Sequence, residues 1–317
     1  MKILFAIALT TSLLYSAEEI VPFQPTLQQT PISISQLEPP APFLPPSRKN
    51  PFIAVGLSYF VPGLGHAYLG DVKTASCLIG STGVGLGLGL VGYGHGNSQV
   101  YSSSSITVQS IYSYGIYAAY RDVRKYNGGS YSYKMPTDSF LDLSFASFKP
   151  SILKKPEVWG GFLGALTLAI TTTYFAYPDD AHIKTPAASS RGSLYPPVAF
   201  SVGVGEEAFF RGYLQSVLSE ALNPTAGLVL SSLAFGAAHI SNASHMESDD
   251  QRRYYTYSIP FITVLGAYFG WLTQKNHSLQ ESVALHSWYD FTLFALSAAT
   301  NQAACTGKPG FAFAIPF

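Results

Sequence analysis

Long apolar stretches separated by short polar loops dominate the chain from residue 52 onward. Several approach the roughly 20 apolar residues that a helix needs to cross a membrane. The pattern predicts an all-α fold, a multi-pass transmembrane helical bundle with loops between its helices. The predicted helical segments are residues 52–69 with a break at Pro62 and Gly63, then 75–93, 106–120, 158–177, 194–222, 227–240, 259–272 and 279–299.

The chain begins with a segment of signal-peptide proportions. Residues 1–17 carry one cation, Lys2, then an apolar run that ends in the small residues Ser16 and Ala17. The bulky Tyr15 keeps a second interpretation open, an uncleaved membrane anchor. Residues 18–51 follow, and prolines recur so densely in them that they predict an extended linker rather than a helix.

Residues 52–125 are predicted to form a membrane-hairpin region. Residues 62–70, P-G-L-G-H-A-Y-L-G, resemble the turn of small two-span membrane domains. Alternate glycines in residues 83–94 lack the strand–loop–helix context of a nucleotide-binding loop, so they favour close helix packing in lipid.

A cationic loop separates the two halves of the chain. Residues 126–156, together with the end of the preceding helix, hold the densest group of lysines and arginines. By the positive-inside rule this loop is expected to face the cytoplasm. Within it, residues 140–148 alternate apolar and polar side chains, which predicts a short strand or an interfacial ribbon.

Composition supports a lipid environment. Hydrophobic residues make up 47% of the chain and charged residues only 11%, against about 25% in soluble domains. The 18 Lys and Arg balance 18 Asp and Glu, so we expect the lipid bilayer as a partner and no nucleic acid. Cys77 and Cys305 lie too far apart to indicate a disulfide framework or a thiolate zinc site.

Three charges interrupt the predicted helix at residues 194–222. Each of Glu206, Glu207 and Arg211 costs about 2.5–3.5 kcal/mol at membrane depth, so a functional reason is expected. Glu207 and Arg211 stand four residues apart in the favourable order for a helical ion pair. Glu206 points about 100° away and keeps a free carboxylate, suited to general-base catalysis. The alternative is that all three charges have a structural role and form polar contacts that link helices.

Two further apolar helices carry ionisable groups. His239 ends one of them, and His286 with Asp290 lies four residues apart inside another. The second pair can bind a metal, orient an imidazole or grip a substrate carbonyl. Glu206, His239 and His286 also match the two-histidine, one-carboxylate set of hydrolytic zinc sites, which makes one divalent metal, Zn²⁺, a candidate cofactor.

These motifs resemble those of a known family. Glu206 to Arg211 (E-E-x-x-x-R), Phe235 to His239 (F-x-x-x-H) and His286 to Asp290 (H-x-x-x-D) are similar to the three signatures of the CAAX-protease and bacteriocin-processing family, the type II CAAX prenyl endopeptidase-like intramembrane proteases. The resemblance covers about residues 157–300 and leaves 301–317 as a C-terminal tail.

The resemblance implies a helical membrane bundle that cleaves peptide bonds near the C-termini of membrane-attached proteins, or that handles peptides in self-immunity. We expect it in the cytoplasmic (inner) membrane. Glu206 would activate water and His239 would share its proton or hold the metal. His286 and Asp290 would polarise the scissile carbonyl or complete the metal site, and Arg211 would fix the acids through Glu207. Two alternatives stay open: a non-catalytic scaffold or peptide-binding protein, and an ion carrier, for which the first spans offer almost no ionisable residue.

Overall fold

Helices form nearly all the regular structure of the described part of the chain. The computed structural model describes residues 47–128, 130–176 and 196–306, and no strand occurs in these ranges. The all-α prediction is therefore confirmed there. The predicted signal segment at residues 1–17, nearly all of the linker at 18–51 and the end of the tail, 307–317, lie outside the described residues. The helices from Asn50 onward belong to one compact unit.

The helices are numbered here in chain order. They are α1 Pro51–Phe60, α2 Leu64–Leu69, α3 Val72–Gly94, α4 Ser98–Asn127, α5 Phe140–Ala146, α6 Pro150–Leu153, α7 Pro156–Ala176, α8 Ala199–Glu207, α9 Gln215–Ala221, α10 Pro224–Ala238, α11 Ser248–Arg253, α12 Ile259–Asn276 and α13 Gln280–Thr306. A π-helical segment, Ala208–Leu214, joins α8 to α9, and a second one, Tyr254–Ser258, joins α11 to α12. Short 3₁₀ turns occur at Pro196–Val198 and Ile240–His245.

The break predicted at Pro62 and Gly63 is present between α1 and α2. Gly63 has a φ of 102°, a conformation that side chains disfavour, and an added Cβ would lie 2.5 Å from the carbonyl oxygen of Ala75. A glycine is therefore required for the chain to turn here against the start of α3.

Three helices among the described residues are long and apolar enough to cross a membrane, namely Val72–Gly94, Pro156–Phe175 and Pro224–Ser244. Large apolar side chains on them face outward, including Leu90, which is 72% exposed. Outward apolar groups on long helices are expected where lipid replaces water as the solvent. The prediction of a membrane protein is thus supported.

The prediction of a strand or ribbon at residues 140–148 is wrong, because residues 140–146 form the helix α5 and residues 147 and 148 form a turn. Ser139 and Asp142 make a capping box in which each side chain accepts from the other residue's backbone N–H. These bonds satisfy the first N–H groups of the helix, and this local gain outweighs the period-two pattern. The Ser139 hydroxyl also holds the pKa of Asp142 below its usual range.

The cationic loop is bound to the start of α13. Asp138 accepts hydrogen bonds from the backbone N–H of Leu279 at 2.8 Å and from the hydroxyl of Ser278 at 2.9 Å. Lys155 forms an ion pair with the buried Glu281. The loop therefore fixes where α13 begins, two turns before the predicted site residue His286.

Helix α4 crosses α8 at a point where only small residues fit. It runs well beyond the predicted 106–120, with Asn97 capping its first turn. An added Cβ on Gly205 would lie 2.6 Å from the Cα of Ser110. The contact brings α4 close to the residue that follows, Glu206.

This crossing yields a stability prediction. We expect Gly205→Ala to lower the free energy of unfolding by about 1–3 kcal/mol, because overpacking forces the two helices apart. Thermal unfolding of the purified protein in detergent measures the change. Gly164→Ala in α7 is the matched control, since no atom lies within 4 Å of its added Cβ. Equal midpoints for the two variants would contradict the close crossing of α4 and α8.

Candidate active site

The acidic motif lies where a regular helix widens. Helix α8 ends at Glu207 and continues directly into the π-helical segment Ala208–Leu214. π-helical segments are rare in proteins, and those that occur are often found at functional sites. The predicted ion pair is present, with Nη1 of Arg211 3.0 Å from Oε1 of Glu207 and both side chains fully buried.

Further contacts hold the arginine in place. Nη2 of Arg211 donates to the backbone carbonyl of Gly266 in α12 at 2.9 Å. Its guanidinium lies 4.1 Å from the ring centre of Phe235, a distance at which cation–π attraction is strong when water is excluded. The arginine thus links the acidic motif to two other helices.

Glu207 also orients the imidazole of His286. Nδ1 of His286 donates to Oε1 of Glu207 at 2.8 Å, so one carboxylate oxygen serves both the arginine and the histidine. The ring stacks on Phe269, with centres 4.9 Å apart and planes inclined by 18°. Bonded on one nitrogen and stacked on one face, the imidazole has a fixed orientation.

The other nitrogen of His286 faces two carboxylates. Nε2 lies 3.4 Å from Oδ2 of Asp290 and 3.8 Å from Oε2 of Glu206. The Glu206 side chain is 30% exposed, whereas that of Glu207 is fully buried. The two adjacent acids therefore differ in environment: Glu207 is committed to buried partners, and Glu206 retains access to space outside the core.

That space is a small cavity between α4 and α8. It has a volume of about 30 Å³. Its lining residues are Ile106, Gln109, Ser110, Ser113, Val202 and Glu206. A reactant of the size of water can thus reach the carboxylate of Glu206.

His239 lies at the edge of this group. It caps the end of α10, and its Nδ1 donates to the carbonyl of Phe235 at 2.7 Å. The same phenylalanine separates the two imidazoles, with ring centres 4.9 Å from His239 and 5.9 Å from His286. Because Phe235 contacts both imidazole rings, His239 lies beside the group formed by His286 and its carboxylate neighbours.

The predicted metal ligands do not form a metal-binding group in the described part of the chain. Across the described ranges, no three His, Cys, Asp or Glu side chains are arranged to hold a metal ion. Glu206, His239 and His286 therefore do not fit the expected zinc centre in this arrangement, and metal binding stays a prediction.

Sequence reasoning missed several residues around the site. Gln215 is fully buried, donates to the carbonyl of Gly270 at 3.1 Å and accepts from the hydroxyl of Ser231. Gln215 follows Arg211 by four residues, as Arg211 follows Glu207, and this repeated spacing could have indicated its place at the site. Phe269 had no such signal, because an aromatic residue in an apolar helix is unremarkable in sequence.

Comparison with known proteins identifies the segment that carries the site. Residues 192–292 match the family described as type II CAAX prenyl endopeptidase Rce1-like. No curated protein and no solved structure shows a significant match to the chain. The matched range is narrower than the predicted domain at 157–300, but it contains all three motifs. The resemblance inferred from those motifs is confirmed by this match over residues 192–292.

Proposed function

We propose that the protein is an intramembrane endopeptidase that hydrolyses membrane-attached proteins or peptides, with Glu206 as the general base. One observation carries the proposal: the partly exposed Glu206 lies 3.8 Å from Nε2 of His286, an imidazole whose other nitrogen is held by Glu207. The Rce1-like match supports protease chemistry for the same segment, and the spanning helices support action within a membrane. We also propose that the protein resides in the cytoplasmic membrane and that its loop at residues 126–156 faces the cytoplasm.

The reaction is acyl transfer to water. Glu206 removes a proton from a water molecule as the water oxygen attacks the carbonyl carbon of the scissile peptide bond. A tetrahedral intermediate forms with negative charge on the former carbonyl oxygen. The carbon–nitrogen bond then breaks, and the amine leaves with the proton returned by Glu206, which gives one carboxylic acid and one amine.

The neighbouring residues stabilise the intermediate and orient the groups that act on it. When protonated on Nε2, His286 donates a hydrogen bond to the negatively charged oxygen of the intermediate. Glu207 and Arg211 keep the imidazole in the orientation that this bond requires. Asp290 accepts from the same imidazole in the resting protein, and His239 shares the proton on Glu206.

Removing the base tests the proposal. We expect Glu206→Gln to lower kcat by at least about 10²–10⁴-fold, because an amide cannot take the proton from water. The measurement uses purified protein in phospholipid vesicles with quenched-fluorescent peptides, both prenylated and unmodified. Glu247→Gln is the matched control, since Glu247 is exposed and makes no capping hydrogen bond.

Two results would contradict the proposal. One is equal cleavage by Glu206→Gln and the unaltered protein. The other is an unaltered protein that cleaves none of these peptides but binds them, which would favour the scaffold or peptide-binding alternative.

Breaking the buried ion pair tests how much it stabilises the fold. We expect Arg211→Met to lower the free energy of unfolding by about 3–5 kcal/mol, because Glu207 loses its arginine partner in the core and keeps only the hydrogen bond from His286. Arg252→Met, at a side chain that is 79% exposed, should change it by less than about 1 kcal/mol. Thermal unfolding in detergent compares them. An unchanged midpoint for Arg211→Met would refute the central role of this pair.

Metal removal tests the cofactor prediction. Because the candidate ligands are not arranged around a common point, we expect cleavage to persist after treatment with a chelator. Elemental analysis of the purified protein accompanies the assay. Activity that is lost on chelation and restored by Zn²⁺ would instead support the zinc site predicted from Glu206, His239 and His286.

A further inference from the structure

One wall of the cavity at Glu206 comes from outside the Rce1-like domain. Ile106, Gln109 and Ser113 lie at helical spacing on one face of α4, which precedes residue 192. Val202 and Glu206, one turn apart on α8, form the opposite wall. The cavity is thus shared between the family domain and the predicted membrane-hairpin region.

The floor of the cavity is fixed by close packing. Ser110 contacts Gly205 so tightly that even a methyl group on the glycine would overlap the Ser110 backbone. The hydroxyl of Ser110 donates to the carbonyl of Ile106 at 3.0 Å, so it is already engaged within its own helix. The distance between the α4 face and the Glu206 carboxylate is therefore set by backbone packing.

Two polar groups on this face are not engaged. Gln109 is exposed at the mouth of the cavity and Ser113 is half-buried, and within the described residues neither side chain has a hydrogen-bond partner. A serine hydroxyl and a glutamine amide can each donate and accept. In a lipid-embedded bundle such groups are costly unless something polar meets them.

The size of the cavity indicates what that partner is. A buried water needs about 10–15 Å³ of accessible volume and between two and four polar partners. The cavity offers about 30 Å³, which is room for about two waters. The Glu206 carboxylate, the Ser113 hydroxyl and the Gln109 amide supply three partners. Volume and polarity therefore fit water better than a peptide side chain.

We propose that this cavity holds the hydrolytic water, and that Ser113 and Gln109 of α4 are positioning residues that orient it on Glu206. The inference rests on the proposed peptidase function and adds where its water resides. Holding a reactant in line with the bond it attacks is a large part of enzymatic acceleration, and a displacement of about 1 Å can cost about 10²-fold in rate.

An isosteric pair of variants tests the role of the hydroxyl. Ser113→Thr and Ser113→Val introduce side chains of the same size, and only threonine keeps a hydroxyl. In the vesicle assay described above, we expect Ser113→Val to lower kcat about 10–100-fold with KM and the unfolding midpoint unchanged, and Ser113→Thr to retain most activity. Gln109→Met should act in the same direction as Ser113→Val.

Thr107→Val is the matched control on the same helix. The substitution removes a hydroxyl that donates to the carbonyl of Ser103. Thr107 is two residues from Gln109 in the sequence, so it lies on another face of the helix. We expect it to leave kcat unchanged. Because water positioning leaves the identity of the base intact, the pH dependence of kcat/KM in Ser113→Val should keep the shape seen in the unaltered protein.

The outcomes separate the two proposals. If Glu206→Gln abolishes cleavage while Ser113→Val and Gln109→Met are fully active, the peptidase proposal stands and the water site is wrong. If Ser113→Thr loses as much activity as Ser113→Val, the position matters for packing alone and the inference is again wrong. Retained activity in Glu206→Gln overturns the peptidase proposal itself.

A readout that needs no activity completes the test. An experimental structure of the full chain in lipid, at about 2 Å resolution, should show ordered water within hydrogen-bonding distance of the Glu206 carboxylate and the Ser113 hydroxyl. A cavity that is empty, or filled by a lipid tail, would overturn the water site whether or not a substrate is known.

Discussion

The site depends on a single carboxylate oxygen. Oε1 of Glu207 accepts from both Arg211 and His286, and all three side chains are buried. One shared contact thereby joins three polar side chains inside an apolar bundle, and Oε2 of Glu207 and Nε of Arg211 have no hydrogen-bond partner among the described residues. The distance between His286 and Glu206 depends on this contact, because the shared oxygen fixes the imidazole that faces Glu206.

The surrounding framework comes from several parts of the chain. The Rce1-like segment supplies the charged residues, but the loop residue Asp138 sets the start of α13, and α4 closes the cavity beside Glu206. Those two elements lie outside residues 192–292. The region that the sequence suggested to be a separate hairpin thus contributes a wall of the candidate active site. The polar residues Gln109, Ser110 and Ser113 on the lining face of α4 suit a polar cavity.

Much of this could be predicted from the sequence, and the rest could not for identifiable reasons. Apolar periodicity located the helices, and charges that are costly in lipid marked Glu206, His286 and their neighbours. The error at residues 140–148 arose because a capping box stabilises a short helix whatever the periodicity. The polar first half of α4 carried no apolar signal. The π-helical segment and the role of Ser113 depend on packing between distant residues, which no local pattern encodes.

Two glycines of α12 have a consequence for how the helices can move. Arg211 donates to the carbonyl of Gly266, and Gln215 donates to that of Gly270, one helical turn further along. At both glycines an added Cβ would come within 3 Å of the side chain that docks there. Since each residue advances a helix by about 1.5 Å, sliding α12 by a single residue would break both bonds at once. The two hydrogen bonds therefore fix the register of α12 against the segment that carries Arg211 and Gln215. Sliding of α12 along this segment requires both bonds to break together.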